Sequence, residues 1–262
     1  MKRIKIIALG LFCLVVESTV VGQNIDAKEP NVVGKFQIQL TKPWLHGLLN
    51  VKTTYSRISV ETHKLDYIKV EVIDLQSAVD RYRDLSPSRW DAQEVPFFYS
   101  ENENEVVIKE TAEDTTGLLL RIKVPESFSA KLDSEGESIF VFDLAGQVEA
   151  VTITSDITLT RISGSTVVNS ESGNINASYK DVSSRYPHAL STTKGNIKLV
   201  LPSHSSTHVF VSYEHGKVAS EFSFFRKGKS ERGDNFAGIK IGSGEASIGL
   251  TTYYGDVNIY KN

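Results

Sequence analysis

A short phrase recurs through the second half of the chain and constrains its fold more than any other feature. In each copy a small residue, most often glycine, precedes a polar residue and then apolar residues at alternate positions. The copies are Gly146-Gln-Val-Glu-Ala150, Ser155-Asp-Ile-Thr-Leu159, Gly164-Ser-Thr-Val-Val168, Gly173-Asn-Ile-Asn-Ala177, Gly195-Asn-Ile-Lys-Leu199, Gly216-Lys-Val-Ala-Ser220 and Gly255-Asp-Val-Asn-Ile259. The first four copies begin nine residues apart, and the next steps are 22, 21 and 39 residues long. A strand start that returns in this way predicts a repetitive β-architecture.

The alternation within these phrases predicts strands that wind around a common interior. Apolar side chains occupy odd positions from Val151 to Leu159, even positions from Ile162 to Val168, and odd positions again from Ile175 to Tyr179. Val151 and Ile153 are therefore expected on the buried face. Side chains alternate strictly along a strand, so each change of parity requires a bulge or a corner. Glycine suits such a corner because it tolerates positive φ and the close approach of another strand.

The spacing predicts an all-β fold, a β-solenoid-like or β-helix-like stack of short strands. Each step of 22 or 21 residues is interpreted as one coil, and neighbouring coils would lie about 4.8 Å apart. The 39-residue step indicates an extra excursion with its tip at Arg226–Arg232. An ordinary antiparallel sandwich with similar turns is the alternative. We divide the chain into an irregular N-terminal β-strand region, residues 23–122, and a repetitive region, residues 123–262.

The first 22 residues have the pattern of a secretory signal peptide. Lys2, Arg3 and Lys5 precede an apolar run of 11 residues, Ile6–Val16. This run is too short to span a bilayer as a helix. We therefore expect an extracytoplasmic mature chain without a transmembrane segment. The single cysteine, Cys13, lies within the apolar run, so the mature chain would contain no cysteine. The compartment would be the periplasm, the cell surface or the medium.

Charge argues against a nucleic-acid partner. The formal net charge is −3, and removing the predicted signal peptide would take away three positive charges and one negative charge, which leaves about −5. Nucleic-acid-binding domains instead carry a basic footprint. No cofactor motif is present: the sequence has neither a phosphate loop nor a Gly-x-Gly-x-x-Gly unit.

Metal sites were considered at two places. A calcium β-roll needs aspartate at a fixed offset in each turn. The residues after the first four anchors are instead Gln147, Asp156, Ser165 and Asn174, so a calcium roll is excluded. The six histidines are His46, His63, His188, His204, His208 and His215. His204 and His208 are four residues apart, but they flank a serine-rich stretch rather than share a helix face, so we predict no zinc site.

Catalytic groups were sought among serines and carboxylates. Ile241-Gly-Ser-Gly-Glu245 imitates a nucleophile elbow, but its position favours a loop between strands. Asp133, Glu135 and Glu137 could share one strand face, as the paired carboxylates of polysaccharide-cleaving enzymes do, although Gly136 favours a polar turn. We therefore predict no catalytic residues.

Aromatic residues next to cations offer the remaining indication of a binding surface. Phe222, Phe224 and Phe225 precede the basic segment, and Tyr253 and Tyr254 precede the last phrase. Exposed aromatics beside Arg and Lys could bind a glycan or a partner protein, whereas buried ones would only cap the interior.

The repeated small-Asn/Asp-Ile/Val phrases resemble the bacterial putative-adhesin family of β-strand-repeat proteins, a domain of unknown function. The resemblance rests on Ser172-Gly-Asn-Ile175, Lys194-Gly-Asn-Ile197, Thr251-Thr-Tyr-Tyr-Gly-Asp-Val257 and Val124-Pro125. It covers most of residues 120–262, and the strands from residue 34 more loosely. It implies a solenoid-like fold and an extracytoplasmic location, and it supplies no catalytic residues.

Taken together, the sequence favours an exported, non-enzymatic cell-envelope protein that acts as a structural, adhesion or interaction module. The alternatives are a carbohydrate-active enzyme on a stacked β-scaffold and a periplasmic sensor or regulatory partner. The partner would be an envelope protein or a glycan. Function is expected where the repeat is interrupted, between Phe222 and Phe236.

Overall fold

The structure is a computed structural model that describes residues 31–75, 96–111, 115, 117–182, 186–230 and 234–262. Within these ranges every regular element is a β-strand, and no helix could cross a membrane. The strands are β1 (Val32–Gln39), β2 (Gly47–Thr53), β3 (Arg57–His63), β4 (Tyr67–Asp74), β5 (Phe97–Asn102), β6 (Glu105–Glu110), β7 (Leu118–Pro125), β8 (Phe128–Ser134), β9 (Ile139–Phe142), β10 (Val148–Thr152), β11 (Ile157–Ile162), β12 (Thr166–Ser170), β13 (Ile175–Tyr179), β14 (His188–Thr192), β15 (Ile197–Leu201), β16 (Thr207–Tyr213), β17 (Val218–Ser220), β18 (Phe224–Lys229), β19 (Asn235–Ile241), β20 (Ala246–Thr252) and β21 (Val257–Lys261). The predicted signal peptide, residues 1–22, and Cys13 lie outside the described residues.

The strands form two sheets that share one apolar core. Sheet A has the order β1-β4-β7-β3-β9-β11-β13-β15-β21-β17, and sheet B has the order β18-β19-β16-β20-β14-β12-β10-β8-β2-β6-β5. Neighbouring strands are parallel through the middle of both sheets, and antiparallel pairs occur only toward the ends. One strand of sheet B followed by one of sheet A makes a coil. The predicted solenoid-like stack is confirmed, and the antiparallel alternative describes its ends alone.

The nine-residue spacing corresponds to half a coil. β10 pairs with β12 and β11 pairs with β13, both in parallel register. Successive phrases therefore lie alternately at the start of a strand in sheet B and a strand in sheet A. The 22-residue step from Gly173 to Gly195 is one coil, as predicted, because β13 pairs with β15. The core runs through both regions of the sequence-based division, 23–122 and 123–262, which stays a prediction.

The prediction that Val151 and Ile153 face the interior is wrong. β10 buries Val148, Ala150 and Thr152, whereas Val151 and Ile153 are exposed. The buried face changes at the corner that follows β10, and it changes again between Leu159 and Ile162, as predicted, where the pairing register shifts. The physical reason for the change after β10 is the hydroxyl of Thr152, which is needed inside the corner to accept a hydrogen bond from the Ser155 backbone N–H at 3.0 Å.

The spatial order of the coils departs from their order in the chain near both ends. The last coil, β20 and β21, lies between the β14/β15 coil and the β16/β17 coil. At the other end the β2/β3 coil lies between the β6/β7 and β8/β9 coils. The 21-residue step from Gly195 to Gly216 is one coil along the chain, as predicted, because it passes through β16 in sheet B to β17 in sheet A. Its two ends are not neighbours in the stack, however, because β21 lies between β15 and β17. Gly255 lies against Gly195, and Gly216 lies against Gly255.

Glycine at the corner between the sheets is required by close backbone approach. A Cβ on Gly195 would lie 1.9 Å from the carbonyl oxygen of Gly173, and a Cβ on Gly255 would lie 1.8 Å from the carbonyl oxygen of Gly195. No carbon atom fits at such a distance from an oxygen. The recurring glycine is therefore a condition for stacking the coils, and the interpretation of the phrase as a corner is confirmed.

A buried hydroxyl three residues before Gly173, Gly195 and Gly255 joins neighbouring coils at the corner that leads into sheet A. Thr192 Oγ1 accepts a hydrogen bond from the Gly195 N–H at 3.0 Å and donates one to the Gly173 carbonyl at 2.9 Å. Thr252 Oγ1 does the same for Gly255 and Gly195, at 3.0 Å in both cases. A buried polar group needs such partners to avoid a desolvation penalty. The repeat in structural terms is thus Thr/Ser-x-x-Gly.

The polar residue after the glycine forms a second ladder along the same corner. Asp156 Oδ1 accepts from the Asn174 N–H at 2.7 Å, and Asn174 Oδ1 accepts from the Asn196 N–H at 2.9 Å. Asn196 Oδ1 accepts from the Asp256 N–H at 2.8 Å, and Asp256 Oδ1 accepts from the Lys217 N–H at 2.8 Å. These side chains replace backbone acceptors that the corner lacks. Their role is to hold the scaffold.

The 39-residue step contains the predicted excursion. β18 and β19 form an antiparallel hairpin that extends sheet B beyond β16. The basic segment occupies β18 and the turn that follows it, of which residues 231–233 lie outside the described residues. The excursion therefore forms one end of the stack.

Candidate functional site

The last strand of sheet B, β18, is exposed along its whole length. Its sequence is Phe-Phe-Arg-Lys-Gly-Lys, and each of its six residues is exposed. Among the described strands it pairs with β19 alone, so its other edge carries free backbone donors and acceptors. A strand with two exposed faces and a free edge is unusual, because such edges promote unwanted pairing. It is the first place to look for a binding surface.

Aromatic rings on this hairpin lie close to cations. The guanidinium of Arg226 lies 5.0 Å from the ring centroid of Phe236, and Lys227 Nζ lies 5.1 Å from that of Phe224. The Phe225 ring is 56% exposed and packs edge-on against His208, with ring centroids 5.9 Å apart. We call Phe210, Phe224, Phe225, Arg226, Lys227, Lys229 and His208 the terminal surface. The sequence left open whether Phe224 and Phe225 are exposed beside basic residues or cap the interior, and the structure shows both rings exposed.

Two glycines make room for the rings of the terminal surface. A Cβ on Gly238 would lie 2.9 Å from the ring of Phe225, and a Cβ on Gly244 would lie 2.3 Å from the imidazole of His208. His208 Nδ1 is also hydrogen-bonded to the Gly244 carbonyl, at 3.0 Å. The rings are therefore seated on backbone and held in place while their outer faces meet solvent.

A second aromatic cluster lies at the corner that carries the glycines. The rings of Tyr253, Tyr254 and His215 have centroid separations of 4.6 to 5.5 Å. A hydrogen bond to Glu214 raises the pKa of Tyr253. Tyr253 and Tyr254 are exposed, so they do not cap the interior.

The opposite corner, where the chain returns from sheet A to sheet B, holds a polar cleft. Its larger part has a volume of about 630 Å³ and is lined in part by His46, Glu126, Gln147 and Tyr186. A smaller part of about 400 Å³ shares Glu126 and is lined by Thr62, Asp143, Arg161 and Lys180. The cleft is open and polar, unlike the apolar pockets that enclose small molecules.

Asp143 and Arg161 lie side by side in this cleft and share an unusual backbone. Both have left-handed conformations, with φ of 58° and 56°. The Arg161 guanidinium donates to both carboxylate oxygens of Asp143, through Nε at 2.6 Å and through Nη2. This hydrogen bond raises the pKa of Arg161. The pair neutralises its own charge and supports two stacked corners.

Two of the three carboxylates considered for catalysis form ion pairs with cations of other coils. Asp133 lies 3.7 Å from Lys52, and Glu137 accepts from Arg57 Nε at 2.9 Å. Glu135 and Gly136 lie in the turn between β8 and β9, as Gly136 indicated. Asp133 and Glu137 are therefore both engaged by cations of neighbouring coils.

The histidine and serine candidates occupy structural positions. His204 lies in the turn before β16, whereas His208 lies on β16 against Gly244, so the two do not share a helix face. Ser243 lies in the loop between β19 and β20, as predicted, and its hydroxyl is hydrogen-bonded to that of Ser206 at 2.6 Å. Within the described ranges no group of three or more His, Cys, Asp or Glu residues could hold a metal ion.

Charge on the outer face of sheet A is concentrated at Glu71, which the sequence did not single out. This carboxylate is buried and lies 2.8 Å from Lys69 Nζ, 3.3 Å from Lys35 Nζ and 3.4 Å from Arg121 Nη1. Its pKa is lowered, chiefly by the hydrogen bond from Lys69 and against the opposing effect of burial. Cross-strand register brings these residues together, since Lys35 and Arg121 both pair with Glu71.

We expect Glu71→Gln to destabilise the protein by about 1.5 kcal/mol at neutral pH, because a charged hydrogen-bond acceptor is lost. A carboxylate whose pKa is lowered by folding contributes stability above its ordinary pKa, near 4.5. That contribution disappears as the pH falls through the lower pKa of the folded state. The melting temperatures of wild type and variant should therefore differ at pH 7, and the difference should shrink as the pH is lowered below the ordinary carboxylate pKa. Glu149→Gln, which removes an exposed pair with Lys131, is the control and should have a smaller effect at pH 7. A constant difference across this pH range would contradict the assignment.

Comparison with known proteins decides the family. The family model Toastrack DUF4097 matches residues 96–260, which is more than half of the chain. The chain belongs to the Toastrack DUF4097 family. The resemblance to a bacterial putative-adhesin domain of unknown function is thereby confirmed. No curated protein is significantly similar to the chain.

Several solved structures are similar to this Toastrack chain. A putative cell adhesion protein from Clostridium sporogenes has 15% identity and a TM-score of 0.48, over 87% of this chain and 99% of that one. A putative adhesin from Bacteroides fragilis has 9% identity and a TM-score of 0.41, over 87% and 96% of the respective chains. A putative adhesin from Parabacteroides merdae has 9% identity and a TM-score of 0.29, over 87% and 95%.

Proposed function

We propose that this Toastrack protein is an exported, non-enzymatic component of the cell envelope that acts as a structural or adhesion module. It attaches to an envelope partner through the terminal surface. The observation that carries the proposal is β18, an edge strand whose aromatic and cationic side chains are exposed throughout. Arginine and aromatic residues are enriched among the residues that contribute most to protein interfaces.

The rigidity of the stack supports this role. Phe225 and His208 are seated on glycine backbone, so a partner that covers them does not have to order them first. The free edge of β18 offers backbone groups to a partner strand, and its cations favour a partner with acidic groups. Much of the remaining polar sequence is occupied by the corner ladders and therefore serves the scaffold.

Export is supported by the order of charge and apolarity in residues 1–22. A non-enzymatic role is supported by the ion pairs of Asp133 with Lys52 and of Glu137 with Arg57, which occupy two of the candidate carboxylates. Protease treatment of intact cells tests the location, because an exposed envelope protein is cleaved while cytoplasmic proteins survive. A protein cleaved only after lysis would argue against the surface, and one recovered with the cytoplasm would overturn export.

Attachment is tested by capture from envelope extracts with the protein purified after expression of the full chain. We expect the variant Arg226→Ser/Lys227→Ser to lose at least about 80% of a specifically captured partner, since each substitution removes a cation from the surface. Lys52→Ser/Lys131→Ser is the matched control, because it removes two exposed cations from β2 and β8, which are far from β18 in sheet B. It should capture the partner as wild type does.

Equal capture by both variants would exclude the terminal surface as the attachment site. Turnover in a panel of polysaccharides, abolished by substitution of Asp133 or Glu137, would instead establish the carbohydrate-active alternative and overturn the non-enzymatic assignment.

A further inference from the structure

The opposite end of sheet B presents a second free edge. Among the described strands β5 pairs with β6 alone. Phe98 is 56% exposed and Tyr99 is 44% exposed, and the Tyr99 ring stacks on Phe36 with centroids 4.8 Å apart. Sheet B therefore begins and ends with an aromatic edge strand.

The two edges carry opposite charges. Glu101, Glu103 and Glu105 lie on β5, on the tight turn and at the start of β6, whereas β18 carries Arg226, Lys227 and Lys229. Glu101 is held in place by hydrogen bonds from Thr41 and Asn104, and Glu103 is paired with Lys42. Glu105 is exposed. Opposite charges on facing strands stabilise a pair, and like charges destabilise it.

Strand direction allows the two edges to pair when one molecule follows another in the same orientation. β18 is antiparallel to β19, which is antiparallel to β16, so β18 runs with the central strands of sheet B. β5 is antiparallel to β6 and therefore runs against them. A second copy that continues sheet B thus meets β18 with an antiparallel β5, a normal sheet pairing.

Register places complementary side chains opposite one another. Followed strand by strand across the sheet, Arg226 lies at the level of Ser100, Lys227 at that of Tyr99 and Gly228 at that of Phe98. By the same route Glu101 lies at the level of Phe224, next to the cations. Gly228 opposite Phe98 leaves space for the exposed ring, and Lys227 meets the ring of Tyr99.

The ends are stepped in a complementary way. At the C-terminal end sheet B extends beyond its last coil by β19 and β18, while sheet A stops at β17. At the other end sheet A extends beyond its first coil by β4 and β1, while sheet B extends by β5 alone. When β5 of one copy pairs with β18 of another, the β1 strand of the first copy occupies one of the two strand positions that sheet A lacks beside β19 and β18. One strand spacing of about 4.8 Å remains there.

We propose that this protein associates head to tail, with β18 of one copy pairing with β5 of the next. The proposal rests on the proposed function, since β18 belongs to the terminal surface, and it names a second copy as the partner of that edge. Pairing of two β18 edges would bring cations together, and pairing of two β5 edges would bring carboxylates together. The contact is therefore heterologous and continues into a linear filament.

Sedimentation of the protein purified from the exported full chain tests the proposal. Wild type should form a ladder of species that grows with concentration at low salt and shortens several-fold at 0.5 M salt, where surface charges are screened. In negative-stain images the filament should repeat about every 53 Å, from the 11 strands of sheet B at about 4.8 Å each.

Charge exchange identifies the two edges. Arg226→Glu/Lys227→Glu makes β18 acidic, and Ser100→Lys/Asn102→Lys makes the β5 edge basic, with Ser100 at the level of Arg226. Each variant alone should be monomeric at concentrations where wild type assembles, and an equimolar mixture should recover assembly, because each altered edge then meets its complement. Lys52→Glu/Lys131→Glu, with the same charge change two and three strands inside the β5 edge, should assemble as wild type does. Circular dichroism verifies that all variants remain folded.

Monomeric wild type at all concentrations, or a mixture that fails to recover assembly, would overturn head-to-tail pairing. A different result would contradict the proposed attachment, namely equal capture of the envelope partner by the Arg226→Ser/Lys227→Ser variant and by its control. If the protein is monomeric and still captures the envelope partner through Arg226 and Lys227, the filament is contradicted and the proposed attachment is not.

Discussion

Replacing Gly195 by alanine is expected to destabilise the protein by about 4 kcal/mol or more, a size reserved for severe overpacking. The new Cβ would lie 1.9 Å from the Gly173 carbonyl oxygen and 2.9 Å from the Thr192 hydroxyl. Both belong to the corner ladder, so neither can move without breaking hydrogen bonds to a neighbouring coil. Chemical denaturation followed by circular dichroism measures the loss.

Gly249→Ala is the matched control for this substitution. Gly249 lies within β20 of sheet B rather than at a corner, and a Cβ there would meet nothing closer than the His188 carbonyl, at 3.8 Å. Alanine should be neutral or slightly stabilising, because glycine in a strand costs conformational entropy. Similar losses for the two variants would show that the corner contact does not limit stability.

Removal of the last coil is the second large effect that we expect. A chain that ends at Gly244 lacks β20 and β21, which lie between the β14/β15 and β16/β17 coils. It loses four large buried apolar side chains, Ile248, Leu250, Val257 and Ile259. Each contributes about 2 kcal/mol, so the sum of about 8 kcal/mol matches the whole stability of a typical domain. The shortened protein should show no cooperative thermal transition.

A chain that ends at Lys261 controls for the loss of the C-terminus itself. It removes only Asn262, whose backbone N–H donates to the Leu201 carbonyl, and it should unfold within a few degrees of wild type. If the chain that ends at Gly244 unfolded cooperatively at the wild-type temperature, the intercalated coil would not be part of the folding unit. Hydrogen exchange of β16 and β19 would locate the change.

Much of the fold follows from local chemistry and is visible in the sequence. The phrase around Gly173 and Gly195 predicts corners because the backbone spacing of stacked coils excludes a Cβ there. The excursion near Arg226 is visible as an interruption of the repeat. The exposed aromatics on β18 also follow from their basic neighbours, since a strand rich in Arg and Lys is rarely buried.

Other features depend on which strands become neighbours, and local pattern does not contain that information. Val151 and Ile153 look buried by alternation, yet the hydroxyl of Thr152 takes the inner face. Gly195 and Gly216 look like successive anchors, yet Gly255 lies between them in space. Pairing between residues so distant in the chain is decided by the fit of whole coils.

The candidate site divides in the same way. Phe224, Phe225 and the cations of β18 are recognisable from the sequence. The contacts of Phe225 with Gly238 and of His208 with Gly244 are not recognisable, because those glycines come from the next strand and the following loop. Glu71 is likewise unremarkable in the sequence, and its three cationic neighbours gather only through cross-strand register.

The sequence by itself determined the all-β class, the corner chemistry and the position of the exposed hairpin. These depend on alternation, on the absence of a Cβ in glycine and on side chains that satisfy nearby backbone groups, all of which act over a few residues. The tertiary structure alone decided the order of the coils and the two oppositely charged ends of sheet B. The order was open because every coil presents the same kind of strand edge, and only the joint burial of all the coils selects one arrangement.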